Sequence, residues 1–197
     1  MIKPQLTEFM RRMDPKSVAI IAAAREAVRS HDTNYRYRQN SDFFYLTGFE
    51  EPDAIAVIAP SQEKKCTLFV RPRDPERAIW DGYRAGVEGA VSDYSADEAF
   101  PIADFDAKLP AILDGPASLY YAFGHANSDL DEKIIRQLTL MRETNRRPLE
   151  PPQTIVDPTL ILHEMRVFKS EAEVEIMQRA ADIAAAAHVE AMKAARA

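Results

Sequence analysis

The histidines and the cysteine of this 197-residue chain are few and lie far apart in the sequence. Metal sites need several ligands that converge, usually with two of them closely spaced along the chain. The histidines stand singly, at His31, His125, His163 and His188. The pair at 163–164 also lacks the second histidine that a zinc-peptidase helix carries four residues after the first. The sequence therefore predicts no metal site in the chain.

The sequence gives no clear evidence for a catalytic nucleophile or for a phosphate-binding loop. The single cysteine, Cys66, begins a predicted strand and has no base near it in the sequence, which favours an ordinary buried thiol. Only 6 glycines occur, and none of them forms a phosphate-binding motif. The acidic pairs Asp104/Asp106 and Asp129/Asp131 fall at predicted helix starts, where carboxylates stabilise the positive end of the helix dipole. We interpret all of these residues as structural and predict no catalytic residue in this chain.

Two segments have a composition that is typical of binding surfaces. One runs from residue 29 to 42 as a polar, mainly exposed loop, and the other runs from 78 to 84 and places the only tryptophan, Trp80, beside a glycine turn. Exposed tryptophan, tyrosine and arginine carry much of the energy of protein interfaces. The composition is equally compatible with a second interpretation, in which Trp80 and Tyr37 are core aromatics and the charges are solvated.

The overall composition indicates a folded protein of one domain, or of one domain with part of a second. Hydrophobic residues make up 46% of the chain and charged residues 28%, which is the globular range. The net charge of −6 gives no general attraction for nucleic acid or for an anionic membrane, and no apolar run approaches the ~20 residues of a membrane span. We therefore expect a cytoplasmic protein that binds neither nucleic acid nor membrane.

The hydrophobic pattern predicts an α/β fold with a mixed β-sheet flanked by helices. The run at 17–24 is apolar on both faces, as expected for a strand in the middle of a sheet. The segment at 42–47 is rich in aromatic residues, which favours a strand. The predicted strands cover residues 17–24, 42–47, 53–59, 67–70 and 119–123, and the predicted helices cover residues 6–13, 103–113 and 128–142.

The last part of the chain is predicted to belong to a second domain. Ser170 and Glu173 form a capping-box pattern, which predicts a helix that begins there. The alanine-rich stripe of this helix would allow close approach of another element, yet none follows, so we expect the chain to be a fragment of a longer protein. The predicted organisation is an N-terminal α/β domain at 1–154, a linker at 155–169, and the first helix of a further domain at 170–197.

Three regions of the sequence together resemble the N-terminal part of the Xaa-Pro aminopeptidases, also called aminopeptidase P. They occur in the order found in that family, and the match covers nearly the whole chain. The regions read Tyr-Arg-Gln-Asn-Ser-Asp-Phe-Phe-Tyr-Leu-Thr-Gly-Phe over 37–49 with Glu-Pro-Asp-Ala over 51–54, Ile-Trp-Asp-Gly over 79–82, and His-Glu-Met-Arg-Val-Phe-Lys-Ser-Glu-Ala-Glu over 163–173.

The resemblance implies a two-domain metallopeptidase. Its N-terminal domain would be the creatinase/aminopeptidase P type of α/β fold, which is ribonuclease H-like, and the helix at 170–197 would open a truncated pita-bread catalytic domain. In the family that second domain holds two metal ions, usually manganese, through ligands beyond the last residue of this chain. The complete enzyme would remove the first residue from peptides with proline in second position, by means of a metal-bound hydroxide. This chain alone is expected to bind no cofactor and to be inactive.

The resemblance also implies a role for two residues. In tetrameric family members the N-terminal domain of one subunit reaches toward the active site of a neighbour, and the matching positions here are Asp32 and Trp80. These residues would contribute to a substrate pocket in trans without performing bond chemistry. The implied partners are the chain's own catalytic domain, further copies in a dimer or tetramer, and peptide substrates.

Two alternatives remain open at this point. The chain is also compatible with a free-standing, non-catalytic binding or oligomerisation module. It is further compatible with the N-terminal domain of a prolidase, because prolidase and creatinase share the architecture and prolidases carry related versions of the block at 37–49.

Overall fold

Residues 17–22 of the apolar run at 17–24 form a strand in the interior of a six-stranded sheet, the position that the run predicts. The computed structural model describes residues 3–74, 76, 78–94, 96–125, 127–143 and 149–195, and of Trp80 and Asp81 it describes the backbone. Residues 145–152 contain three prolines and two arginines, a composition that predicts an extended connector, and they lie partly outside the described residues. The strands are β1 (Ser17–Ala22), β2 (Val28–Ser30), β3 (Thr33–Asn34), β4 (Ile55–Ile58), β5 (Cys66–Val70), β6 (Glu98–Pro101), β7 (Ser118–Tyr120) and β8 (Thr154–Val156).

The sheet is mixed, with the strand order β6-β5-β4-β1-β7-β8. Strand β1 pairs antiparallel with β4 and parallel with β7. Strands β4 and β5 form the antiparallel hairpin that the apolar runs at 53–59 and 67–70 predict. The outer pairs β5–β6 and β7–β8 are parallel, and β2 and β3 form a separate two-stranded hairpin. The prediction of an α/β fold with a mixed sheet is thus confirmed.

Helices flank the sheet and supply the core. In the described residues they are α1 (Pro4–Arg12), α2 (Ser41–Thr47), α3 (Ala78–Asp81), α4 (Gly86–Asp93), α5 (Phe105–Leu113), α6 (Ser128–Glu143), α7 (Thr159–Val167) and α8 (Glu171–Ala194). Helices α5 and α6 share one buried cluster with Val18 and Ile20 of β1. Side chains alternate along a strand, so Ala19 and Ile21 face the other side, and they too are buried. Helix α2 contacts β1, and helix α4 contacts β5. Neither helix belongs to that cluster.

The strand predicted at 42–47 is wrong, because this segment forms helix α2. The side chain of Asn40 accepts hydrogen bonds from the backbone N–H groups of Asp42 and Phe43, at 2.9 and 3.0 Å, and so caps the helix start. Gly48 ends the helix with a φ of 71°, the left-handed conformation that glycine adopts without strain. The helix buries Phe43 and Leu46 on one face. Caps at both ends therefore override the strand preference of the aromatic residues.

The chain divides into two compact units, Met1–Leu162 and His163–Ala197. The boundary falls within the segment 155–169 that the sequence analysis assigns to a linker, and helix α7 spans it. In the second unit, α8 begins with the predicted capping box. The Ser170 hydroxyl accepts from the Glu173 N–H at 3.3 Å, and the Glu173 carboxylate accepts from the Ser170 N–H at 2.8 Å. Among the described residues, no helix is long and apolar enough to cross a membrane.

Candidate functional site

The two residues singled out as pocket residues lie on separate segments that leave the same edge of the sheet. Asp32 is exposed in the turn between β2 and β3, within the segment 25–40 that follows β1. Trp80 lies in the short helix α3, within the segment 78–86 that follows β5. Because β1 and β5 both run antiparallel to β4, their carboxyl ends lie at the edge where β4 begins. In α/β sheets, ligand sites form outside the carboxyl ends of strands.

The segment 25–40 is tied to this edge by the side chain of Gln39. Its Oε1 accepts a hydrogen bond from the Ala24 N–H at 2.8 Å. Its Nε2 donates to the backbone oxygens of Phe49, at 3.1 Å, and of Glu51, at 2.9 Å. One amide side chain therefore joins the end of β1 to the stretch that leads into β4.

Tyr37 supports the same connection. Its hydroxyl donates to the backbone oxygen of Ala24 at 3.2 Å. Burial, together with the negative charge of Asp53, raises the pKa of Tyr37 to about 12, and the positive charge of Arg71 acts in the opposite direction. The phenol therefore stays protonated at neutral pH and remains a hydrogen-bond donor. Tyr37 is a half-buried structural residue rather than part of an exposed aromatic surface.

The segment 78–86 is tied to the same edge by the carboxylate of Glu51. Its Oε1 accepts a short hydrogen bond of 2.6 Å from the backbone N–H of Ala85. Its Oε2 lies 3.9 Å from the Arg71 Nη2, as an ion pair whose side chains are 16% and 20% exposed. We refer to Tyr37, Gln39, Glu51, Arg71 and Ala85 as the anchor network, because their contacts hold both loop segments to the sheet.

The segment 78–86 also folds back on the residues that follow β5. The Ala78 N–H donates to the backbone oxygen of Asp74 at 2.9 Å. The Arg73 guanidinium lies over the ring of Tyr83, 5.1 Å from its centroid, and donates to the Tyr83 hydroxyl. Gly86 has a φ of 64°, and a Cβ atom there would lie 3.1 Å from the backbone nitrogen of Arg73. Only glycine fits this close return of the chain.

Sequence reasoning did not single out Gln39, Glu51 or Arg71. Gln39 and Glu51 lie inside the regions that carry the family resemblance, and both are polar residues that border apolar runs. These two features are the only sequence signal that either residue has a structural role. Their partners are backbone groups, so no complementary side chain in the sequence indicates what they bind. Of Trp80 the structure describes only the backbone, so the contribution of Asp32 and Trp80 to a neighbouring subunit's pocket stays a prediction.

The metal donors of the described residues do not converge. Among them, no three histidine, cysteine, aspartate or glutamate side chains lie together in a group that could hold a metal ion. The described part of the chain therefore offers no fit for the two metal ions that the resemblance implies, and no step of a reaction is assigned to a metal here.

Cys66 is an ordinary buried thiol, as the sequence predicts. It is 1% exposed at the start of β5, and its backbone N–H donates to the Asp97 carboxylate at 2.8 Å. Burial raises the pKa of the thiol to about 12, and the negative charge of Asp97 acts in the same direction. A thiol that stays protonated well above neutral pH is a poor nucleophile.

The raised pKa of Cys66 predicts a loss of stability at alkaline pH. In the unfolded chain the thiol ionises near pH ~8.5, whereas in the folded domain it stays protonated until about pH 12. The associated stability is fully present below the lower value and is lost as pH rises toward the higher one, at about 1.4 kcal/mol per pH unit. Urea unfolding of the wild type and of Cys66→Ala at about pH 8, 9 and 10 measures this slope. We expect a shallower slope for the variant, and equal slopes would contradict the assignment; tyrosine ionisation affects both proteins alike.

These observations define a class of protein, a mixed-sheet α/β domain that presents two anchored loop segments at the carboxyl edge of its strands. The chain belongs to the family of aminopeptidase P N-terminal domains, whose family model matches residues 4–121. It is 39% identical to the Xaa-Pro aminopeptidase of Escherichia coli K12, across 96% of this chain and 45% of that protein. It is 31% identical to the human Xaa-Pro aminopeptidase 3, across 83% of this chain and 32% of that protein.

Solved structures give the same result. The aminopeptidase PepP of Pseudomonas aeruginosa superimposes with a TM-score of 0.93 and 42% identity, covering 98% of this chain and 43% of that one. The zinc-substituted E. coli aminopeptidase P in complex with product superimposes with a TM-score of 0.92 and 37% identity, covering 98% of this chain and 44% of that one. The chain thus spans less than half the length of the relatives it matches.

Proposed function

We propose that this chain is the N-terminal assembly and substrate-gating domain of a Xaa-Pro aminopeptidase. The complete enzyme would remove the N-terminal residue from peptides with proline in second position, with a dinuclear metal centre that contains manganese. The observation that carries the proposal is the alignment of 96% of the chain with 45% of a protein named Xaa-Pro aminopeptidase. Relatives with that name favour an aminopeptidase over a prolidase and over a free-standing module.

In this proposal the residues of the chain shape a pocket and perform no bond chemistry. Asp32 and Trp80 would form part of the wall of a neighbouring subunit's pocket and would restrict the length of peptide that enters. Their position supports this role, because both segments leave the same edge of the sheet and are tied there by hydrogen bonds. A wall residue on a fixed segment orients a substrate at lower entropic cost than one on a mobile loop.

The proposed organisation extends the same assignment. Residues 1–154 would form the gating domain, residues 155–169 a linker, and residues 170–197 the first helix of the catalytic domain. The partners would be that catalytic domain and further copies of the enzyme in a dimer or tetramer, in the cytoplasm. The pH- and metal-dependent steps of hydrolysis would take place outside this chain.

The test compares the purified 197-residue chain with a complete enzyme that contains it. We expect the chain alone to retain no stoichiometric manganese after dialysis and to release no N-terminal residue from a Xaa-Pro peptide, because its described donors do not converge. The complete enzyme should do both under the same conditions. Stoichiometric manganese together with peptide hydrolysis by the chain alone would contradict the proposal, and an inactive complete enzyme would contradict the assigned substrate class.

A further inference from the structure

Glu51 contacts both loop segments of the proposed gating surface. Its backbone oxygen accepts from the Gln39 side chain at 2.9 Å, which closes the segment 25–40. Its carboxylate accepts from the Ala85 N–H at 2.6 Å, near the end of the segment 78–86. The residue stands four positions before β4, at the edge where β1 and β5 end. A single residue thus connects the two segments to one rigid element.

The contact with Ala85 belongs to a strong class of hydrogen bond. An ionised carboxylate binds a backbone N–H more tightly than a neutral acceptor does, and the effect grows where water is largely excluded. The Glu51 side chain is 16% exposed, and Arg71 at 3.9 Å offsets part of the cost of burying its charge. Loss of the carboxylate would leave the Ala85 N–H and the Arg71 guanidinium without this partner.

The contact also lies where it controls the segment. Trp80 is five residues before Ala85. At the other end of the segment, the Ala78 N–H donates to the backbone oxygen of Asp74, four residues earlier, and closes one local turn. At the end near Ala85, Gly86 returns the chain against Arg73. The Glu51 contact therefore joins the segment that carries Trp80 to the stretch that leads into β4.

We propose that Glu51 is a positioning residue for Trp80, which it fixes by binding the Ala85 N–H. The importance of Trp80 to substrates rests on the proposed function, whereas its position can be measured independently. Trp80 is the only tryptophan of the chain, so the fluorescence of the 197-residue protein reports on that side chain alone.

The experiment measures acrylamide quenching and anisotropy of Trp80 in three variants. In Glu51→Ala we expect a roughly twofold change in the quenching constant and a lower anisotropy, because one end of the segment is released. In Glu51→Gln the amide oxygen still accepts from the Ala85 N–H but carries no charge, so both signals should lie between those of the wild type and those of Glu51→Ala. Asp97→Ala is the matched control, because its carboxylate accepts from two backbone N–H groups, those of Lys65 and Cys66, at the opposite end of β5.

The outcomes separate cleanly. A changed signal in Glu51→Ala, with a smaller change in Glu51→Gln and a wild-type signal in Asp97→Ala, supports the proposal. Unchanged Trp80 signals in a folded Glu51→Ala protein overturn it, as does an equal change in Asp97→Ala. If Glu51→Ala does not fold, amide exchange in the wild type decides: protection of the Ala85 N–H supports the contact, and exchange at the random-coil rate overturns it. None of these results depends on whether Trp80 acts on a neighbouring pocket.

Discussion

Replacement of Trp80 by alanine in a complete enzyme that contains this chain is expected to lower kcat/KM for Xaa-Pro peptides roughly tenfold to hundredfold. A pocket wall that orients a substrate without touching the metal contributes about 1–3 kcal/mol to the transition state. Metal content and the melting temperature of the N-terminal domain should change little, because in the proposed role Trp80 neither binds the metal nor packs in the core. Steady-state kinetics of the assembled enzyme measure the first effect, and thermal melting of the 197-residue chain measures the second.

Ile79→Ala supplies the matched control for Trp80→Ala. Ile79 is the neighbouring apolar residue of α3 and is 80% exposed. If the effect of Trp80→Ala came from a general disturbance of α3, Ile79→Ala would reproduce it. A large drop in melting temperature with unchanged turnover per folded enzyme would instead identify Trp80 as a core residue and refute the gating role.

The parts of the fold that sequence predicts are those whose signal is local. Strand β1 and helix α6 are read from the periodicity of their own apolar residues, and the capping box of α8 is complete within Ser170 to Glu173. Short outer strands give no such signal. Strand β8 has two exposed residues out of three and exists through its pairing with β7. Whether such a strand forms depends on pairing partners that are distant in the sequence.

Helix α2 shows how one misread signal changes an element. Its aromatic residues favour a strand, but the Asn40 cap and the left-handed Gly48 define a helix. Both signals are present in the sequence, and weighing them above the intrinsic preference of Phe43 and Phe44 would have given the correct assignment. The resemblance nevertheless places this block correctly within its family.

The anchor network lies beyond sequence reasoning for a different reason. The Glu51 carboxylate binds the backbone of Ala85, 34 residues along the chain. Any residue except proline offers a backbone N–H, so the sequence does not indicate which residue the Glu51 carboxylate binds. A family resemblance marks Glu51 as part of a recognisable block, whereas only coordinates show which segment it holds.

Replacement of Phe69 by alanine is expected to lower the free energy of unfolding of the first unit by about 3–5 kcal/mol. Phe69 is 1% exposed in β5. Its ring packs edge-on against Phe105, with centroids 5.1 Å apart, and tilted against Phe100 at 5.7 Å. Truncation removes apolar contacts from the cluster that joins the sheet to α5 and α6 and leaves a cavity. Urea unfolding monitored by circular dichroism measures the loss.

Phe44→Ala makes the same chemical change in helix α2 of the same unit, at a side chain that is 43% exposed, so it should cost clearly less. A similar loss in both variants would contradict the packing argument. In the complete enzyme, Phe69→Ala should reduce the amount of folded protein while leaving turnover per folded enzyme unchanged. Trp80→Ala should give the opposite pattern, because in the proposed function Phe69 stabilises the fold that carries the gating surface, whereas Trp80 would be part of that surface.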